Sequence, residues 1–128
     1  MYRSIKSETW QKLFVITFKT IKDQYGETEK PVFSEEVKKM EGKQITVPGY
    51  IFPTEDMFAG SKKILFSALP VNNCFFCGTG GPESVMTINL KKSLVYTERK
   101  ISLRGTLELN DENPDELIYI LNDAVKVD

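Results

Sequence analysis

Histidine is absent from the 128 residues of this sequence, and cysteine occurs only twice. Because histidine is the commonest general base in enzymes, its absence excludes a Ser-His or Cys-His catalytic pair within the chain. A zinc site of four cysteines would require a second subunit, and a two-cysteine site would need carboxylates or water as further ligands. The absence of histidine and the presence of only two cysteines therefore argue against a catalytic zinc site and against histidine-dependent nucleophilic catalysis.

Long apolar runs are also missing. No stretch approaches the ~18 to 20 consecutive apolar residues of a transmembrane helix, and the start of the chain does not resemble a secretion signal. We expect a soluble chain without a transmembrane segment, and the sequence leaves open whether a leader was removed. A hydrophobic fraction of 41% and a charged fraction of 27% are ordinary for a globular protein, and the length fits one domain over residues 1–128.

The net charge of −1 is the sum of three unlike segments. Residues 1–60 contain nine basic and nine acidic side chains, residues 61–107 contain seven and two, and residues 108–128 contain one and seven. A basic segment can form a polyanion-binding face, but consecutive residues of a strand point to opposite sides of a sheet. We interpret these charges as solvated faces, and the near-zero net charge argues against a nucleic-acid partner.

Hydrophobic patterning predicts a chain composed mostly of short strands. Alternating apolar residues, β-branched and aromatic side chains, and bounding glycines or prolines favour strands in six segments. These segments are residues 10–18, 43–52, 63–69, 84–90, 100–109 and 117–121, of which the last also fits a helical turn. The polar stretch 19–31 is predicted to be a loop.

One short helix is predicted between Phe33 and Gly42. Ser34 can cap its N-terminus, acidic residues follow in the first turn, and Gly42 can end it. Val37 and Met40 share one side of the helix with Phe33, so we expect that side to face the sheet. The elements together predict a mainly β fold, a small OB-like antiparallel barrel of five or six strands with one short helix. A small sandwich or roll is the alternative.

The most unusual segment contains a Cys-x-x-Cys pair followed by three glycines, between the third and fourth predicted strands. Thiols at this spacing can form a reversible disulfide, bind zinc or another soft metal, or pack within a structural loop. A thioredoxin-like pair opens a helix, whereas glycines and a proline follow the pair here, which favours the structural loop. The candidate metal or redox residues are Cys74 and Cys77, and the candidate binding loop comprises Asn73, Phe75, Phe76, Gly78, Gly80, Gly81 and Pro82. No residue is assigned a catalytic role.

An OB-like barrel raises a further hypothesis, the binding of single-stranded nucleic acid, because such barrels stack bases on aromatic side chains beside basic grooves. The residues that would serve are Phe66, Tyr96, Lys91, Lys92, Arg99, Lys100 and Arg104. The hypothesis requires the seven cations of residues 61–107 to converge on one face. The simpler interpretation places Phe66 in the core and the lysines in solvent-facing turns.

Several dispersed motifs resemble the pattern of one bacterial protein family. They are Gly42-Lys43, Gly49-Tyr50, Pro53, Cys74-Phe75-Phe76-Cys77-Gly78, Gly81-Pro82-Glu83 and Gly105-Thr106-Leu107-Glu108-Leu109-Asn110. In this order they are similar to a family of unknown function whose members are often small envelope proteins or lipoproteins. The resemblance covers the chain from Trp10 to Ala124. The chain departs from the pattern by lacking a leader and by having Thr54 where a hydrophobic residue commonly follows the proline.

The resemblance implies an OB-like domain of the periplasm or cell envelope, associated in some relatives with transport systems, and it implies no established activity. Gly49 would allow a strand kink that turns Tyr50 inward, and Gly81-Pro82 would fix the exit from the cysteine loop. We therefore expect a noncatalytic binding or accessory domain whose cysteine loop contacts a protein partner, a small ligand or a metal. The alternatives are a dithiol redox protein using Cys74 and Cys77, and a module that binds single-stranded nucleic acid.

Overall fold

The computed structural model describes residues 8–24, 26–53, 60, 62–69, 82–111 and 117–127. In chain order the elements are helix α1 (Glu8–Leu13), strands β1 (Ile16–Asp23) and β2 (Gly26–Phe33), helix α2 (Glu35–Met40), and strands β3 (Gln44–Phe52), β4 (Lys63–Ser67), β5 (Val85–Leu90), β6 (Ile101–Leu109) and β7 (Tyr119–Lys126). A 3-10 turn at Pro82–Ser84 precedes β5. No helix within these ranges is long and apolar enough to cross a membrane.

Five strands form a closed barrel in the order β3-β4-β5-β7-β6, and β6 pairs back to β3. Numbered within the barrel, the order is 1-2-3-5-4, and the predicted mainly β, OB-like barrel is confirmed. The pair β5–β7 is parallel, so the expectation of a wholly antiparallel barrel is wrong. An odd number of strands cannot alternate in direction around a closed ring, and one parallel pair is therefore unavoidable.

Residues 19–31 were predicted to be a loop, and this prediction is wrong. They form the larger part of a β-hairpin made by β1 and β2. Strands β1 and β2 pair in register from Ile16 with Phe33 to Asp23 with Gly26, and they form a sheet separate from the barrel. Gly26 has a φ of 118°, a conformation that glycine adopts without steric cost. Most described side chains of the hairpin are exposed, so it lacks the apolar alternation that marks a half-buried strand.

The first predicted strand is wrong in its first half. Residues Glu8–Leu13 are helical, and the strand begins only at Ile16. Trp10, Leu13 and Phe14 are spaced by three and four residues, a helical pattern that the β-prone side chains around them concealed. Trp10 and Leu13 are fully buried, and the ring of Trp10 stacks on that of Phe14 with centroids 5.8 Å apart.

The other predicted elements are confirmed with changed ends. Helix α2 begins after Ser34, whose Oγ accepts a hydrogen bond from the N–H of Val37 at 3.2 Å, as expected of an N-cap. The last strand extends to Lys126 instead of ending at Leu121, and its helical alternative is wrong. Among the described residues there are therefore two short α-helices where the sequence predicted one.

The barrel interior is filled by alternate side chains of its strands. Burial alternates along the second half of β3 and along most of β6, as expected of strands with one face inward. The buried barrel residues of the core cluster include Val47, Ile51, Ile64, Phe66, Met86, Ile88, Leu103, Leu107 and Leu121. Phe66 therefore belongs to the core, as its simpler interpretation predicted.

Helix α1 covers one end of the barrel, the end at which β3 and β7 begin. The hydroxyl of Tyr119, the first residue of β7, donates a hydrogen bond to the carbonyl of Leu13. The indole N–H of Trp10 donates to the carbonyl of Pro48, which precedes the segment of β3 that pairs with β4. We call this region, with Trp10, Leu13 and Tyr119 at its centre, the helix-capped end.

Candidate functional site

The cysteine loop lies outside the described residues. This holds for Cys74 and Cys77 and for the candidate binding residues Asn73, Phe75, Phe76, Gly78, Gly80 and Gly81. Its flanks meet at the helix-capped end, where the N–H of Ala68 donates to the carbonyl of Ser84 at 2.8 Å and Pro82 begins the 3-10 turn. Among the described residues, no group of three or more carboxylates lies close enough to hold a metal ion. The metal and redox hypotheses for the two cysteines stay predictions.

Gly49, the first of the motif glycines, leaves room for an aromatic ring. A Cβ atom built on Gly49 would overlap the carbonyl of Ser67 and would lie 2.8 Å from the ring of Phe66. Tyr50 is half-buried and, by the alternation of β3, lies on the outer face of the strand. The predicted inward turn of Tyr50 is therefore wrong, because its neighbours Gly49 and Ile51 occupy the buried positions of β3.

Gly105 has an architectural role of the same kind. A Cβ atom at this position would lie 2.6 Å from the carbonyl oxygen of Asn122 in β7. The pairing of β6 with β7 shifts register beside Gly105, and Asp123 has a φ of 54°, so β7 bulges towards the glycine. Pro53 directly follows Phe52, the last residue of β3, as the sequence predicted.

Exposed cations lie together at the end of the barrel opposite α1. Strands β4 and β6 begin at this end and β5 and β7 finish there, since Lys63 pairs with Asn89 and Leu103 pairs with Lys126. Seven exposed basic side chains define what we call the cationic end: Lys62, Lys63, Lys91, Lys92, Arg99, Lys100 and Lys126. The acidic residues described beside them are Glu98 and Asp123.

This group contains six of the seven cations of residues 61–107. The seventh, Arg104, is exposed further along β6, opposite Val125 of β7. Lys126 is the one basic residue of the acidic segment 108–128. It was not included among the candidate cations, because that segment was assessed by its total charge. Six of the seven cations of residues 61–107 therefore lie on strand ends or connections at one end of the barrel.

A groove of about 450 Å³ opens at the cationic end. Its walls are formed by Val95, Tyr96, Thr97, Arg99, Lys100, Ile101 and Lys126. The connection from β5 to β6, residues 91–100, has to pass the end of β7, because β7 lies between these two strands in the barrel. This crossing brings Tyr96 and Arg99 to the same groove as Lys126.

Contacts along its length hold the 91–100 connection against the barrel. The N–H of Lys91 donates to the carbonyl of Ala124 at 3.0 Å, and Oγ of Ser93 donates to the carbonyl of Gly60 at 2.6 Å. The side chains of Leu94 and Tyr96 pack against the core cluster. The groove therefore has walls whose position is set by the fold before any ligand arrives.

The ion pairs recorded among the described side chains lie away from the groove. They join Lys12 to Glu36, Lys22 to Glu27 and Lys38 to Glu35. In the described ranges, Arg99, Lys100 and Lys126 make no ion pair with another described side chain. Because neighbouring like charges repel, an anion bound at this end would relieve an unfavourable interaction that the protein otherwise retains.

No family model, curated protein or solved structure matches this chain. The resemblance to a bacterial envelope family therefore stays a prediction.

Proposed function

We propose that this chain is a noncatalytic binding module that takes an anionic ligand at its cationic end. The observation that carries the proposal is the grouping, within the described part of the chain, of seven exposed basic side chains and two acidic ones, in a protein whose net charge is −1. Clustered cations attract a polyanion because binding releases its condensed counterions. A protein with evenly dispersed charges would gain much less from the same contacts.

The proposal keeps the binding role predicted from the sequence and places it at a different surface. The cysteine loop was the expected contact site, and its described flanks lie at the opposite end of the barrel. The near-zero net charge argued against nucleic acid, but long-range attraction depends on how charges are distributed over the surface as well as on their sum.

The test uses a fluorescent 12-residue phosphodiester oligomer without bases, so that charge alone is probed. The first variant combines Arg99→Gln, Lys100→Gln and Lys126→Gln. The control combines Lys12→Gln, Lys22→Gln and Lys38→Gln, which changes the net charge equally but removes cations that lie in α1, α2 and the hairpin. Fluorescence anisotropy at several salt concentrations gives the affinity and its salt dependence.

We expect the native protein to bind more weakly as salt rises. Since each neutralised phosphate of a single strand contributes roughly 0.7 to the salt slope, the groove variant should lower that slope by about 2 and the affinity about tenfold or more. The control should bind within about twofold of the native protein. Equal losses in both variants, or no binding by the native protein at low salt, would contradict the proposal.

A further inference from the structure

The groove of the cationic end joins an aromatic ring to its cations. Tyr96 lines the groove together with Arg99, Lys100 and Lys126, and its side chain also packs against the core cluster. A ring held in this way loses little conformational freedom when a ligand stacks on it. The groove therefore places an aromatic side chain beside three positive charges.

Apolar side chains extend this surface. Val95, a wall of the groove, is 90% exposed, the largest exposed fraction recorded for a large hydrophobic residue in the described ranges. Ile101 also lines the groove. An isolated exposed valine is ordinary on a protein surface, but Val95 lines a cationic groove that contains an aromatic ring. A ligand that gains from the whole surface must carry both negative charge and flat apolar groups.

Resting on the proposed function, we infer that the ligand of the cationic end is a single-stranded nucleic acid. Its phosphates contact Arg99, Lys100 and Lys126, and one of its bases stacks on Tyr96. Inorganic phosphate and acidic peptides carry the charge without a flat base. A duplex carries the bases but keeps their faces stacked inside the helix, so only a single strand can present a base face to the ring.

The experiment compares two fluorescent 12-residue strands, oligothymidylate and the oligomer without bases, which carry the same phosphates. The variants are Tyr96→Ala and Tyr96→Phe, with Tyr96→Leu as a version that keeps an apolar contact with the core but has no aromatic face. Phe18→Ala is the control, because Phe18 is an exposed aromatic residue of the separate hairpin. Thermal unfolding of each variant verifies that it is folded.

We expect the native protein to prefer oligothymidylate about five- to hundredfold, the range that stacking of one base provides. Tyr96→Ala and Tyr96→Leu should abolish this preference without changing affinity for the oligomer that lacks bases. Tyr96→Phe and Phe18→Ala should retain it. This pattern would separate a stacking surface from a ring that only supports the fold, since loss of folding would weaken the binding of both strands.

The contrary outcomes are distinct. Equal affinity of the native protein for both strands would overturn the inference and leave the proposed function standing, whereas binding to neither strand would remove both. Duplex DNA bound as tightly as the single strand would also overturn it. Tighter binding to vesicles containing anionic phospholipid than to either strand would overturn the inference as well, and would identify a membrane surface as the anionic partner.

Discussion

The two ends of the barrel use their side chains in opposite ways. At the helix-capped end, Trp10, Leu13 and Tyr119 are fully buried, and the polar atoms of Trp10 and Tyr119 are hydrogen-bonded to backbone carbonyls. At the cationic end, all seven defining side chains are exposed. Burial of apolar area stabilises the fold, whereas exposed charges contribute little to stability and are accessible to solvent.

The comparison indicates a division of roles. On the proposed function, the helix-capped end contributes stability through its buried side chains, and the cationic end contacts the ligand. Substitutions at the helix-capped end should therefore change the free energy of unfolding, and substitutions at the cationic end should change the affinity for the anionic ligand.

The largest effect is expected for Trp10→Ala. Removing a fully buried indole ring leaves a cavity and also leaves the carbonyl of Pro48 without this donor, so the free energy of unfolding should fall by about 3–5 kcal/mol. Urea denaturation measures the change. Val95→Ala, at an exposed position of the groove, should stay within about 0.5 kcal/mol of the native protein. Similar losses in both variants would mean that the ends are not energetically distinct.

A smaller effect is expected for Tyr119→Phe. The variant lacks the hydroxyl that donates to the carbonyl of Leu13, which should cost about 1 kcal/mol of unfolding free energy at neutral pH. Burial raises the pKa of the Tyr119 hydroxyl above its ordinary value, and the negative charge of Glu83 adds to the increase.

The sign of the pH dependence follows from this shift. The unfolded state ionises near pH 10 while the folded state still holds the proton, so the contribution of the hydroxyl is complete below about pH 10 and is lost as the pH rises further. The stability difference between the native protein and Tyr119→Phe should therefore shrink above that pH. Denaturation curves of the native protein and of Tyr119→Phe at pH 8 to 11 measure this difference. Tyr50→Phe, at a half-buried position, is the control. A difference that persists or grows would contradict the buried-hydroxyl argument.

The smallest effect on binding is expected for Cys74→Ser. Because the described flanks of the cysteine loop lie at the helix-capped end, the affinity for the oligomer without bases should stay within about twofold of the native value. A large loss of affinity would connect the loop to the cationic end and undo the separation of the two ends.

Zinc content and free thiols, measured on the same samples, decide between the remaining hypotheses for this loop. We expect no zinc in the native protein, and either two free thiols or one internal disulfide, as for a structural loop. About one zinc per chain or per two chains, lost in the variant, would instead identify a metal site. If a disulfide is found, its reduction potential should be measured, because that value tests whether Cys74 and Cys77 act as a redox pair.

Several elements could be predicted because their signals are local. The alternation in β6, the Ser34 cap of α2 and the end of β3 before Pro53 each depend on a few neighbouring residues. Helix α1 had a local signal as well, the spacing of Trp10, Leu13 and Phe14, which the aromatic and β-branched residues around it concealed. The hairpin had no such signal, because most of its described side chains are exposed and its strands need no continuous apolar side.

The sequence by itself determined a β-rich chain, the absence of histidine chemistry, the positions of most strands and the core role of Phe66. Each of these follows from composition or from a pattern within a few residues. Only the tertiary structure decided that Lys62, Lys91, Arg99 and Lys126 meet at one end of the barrel. The physical reason is the strand order, since β7 lies between β5 and β6 and joins residues that are far apart in the chain.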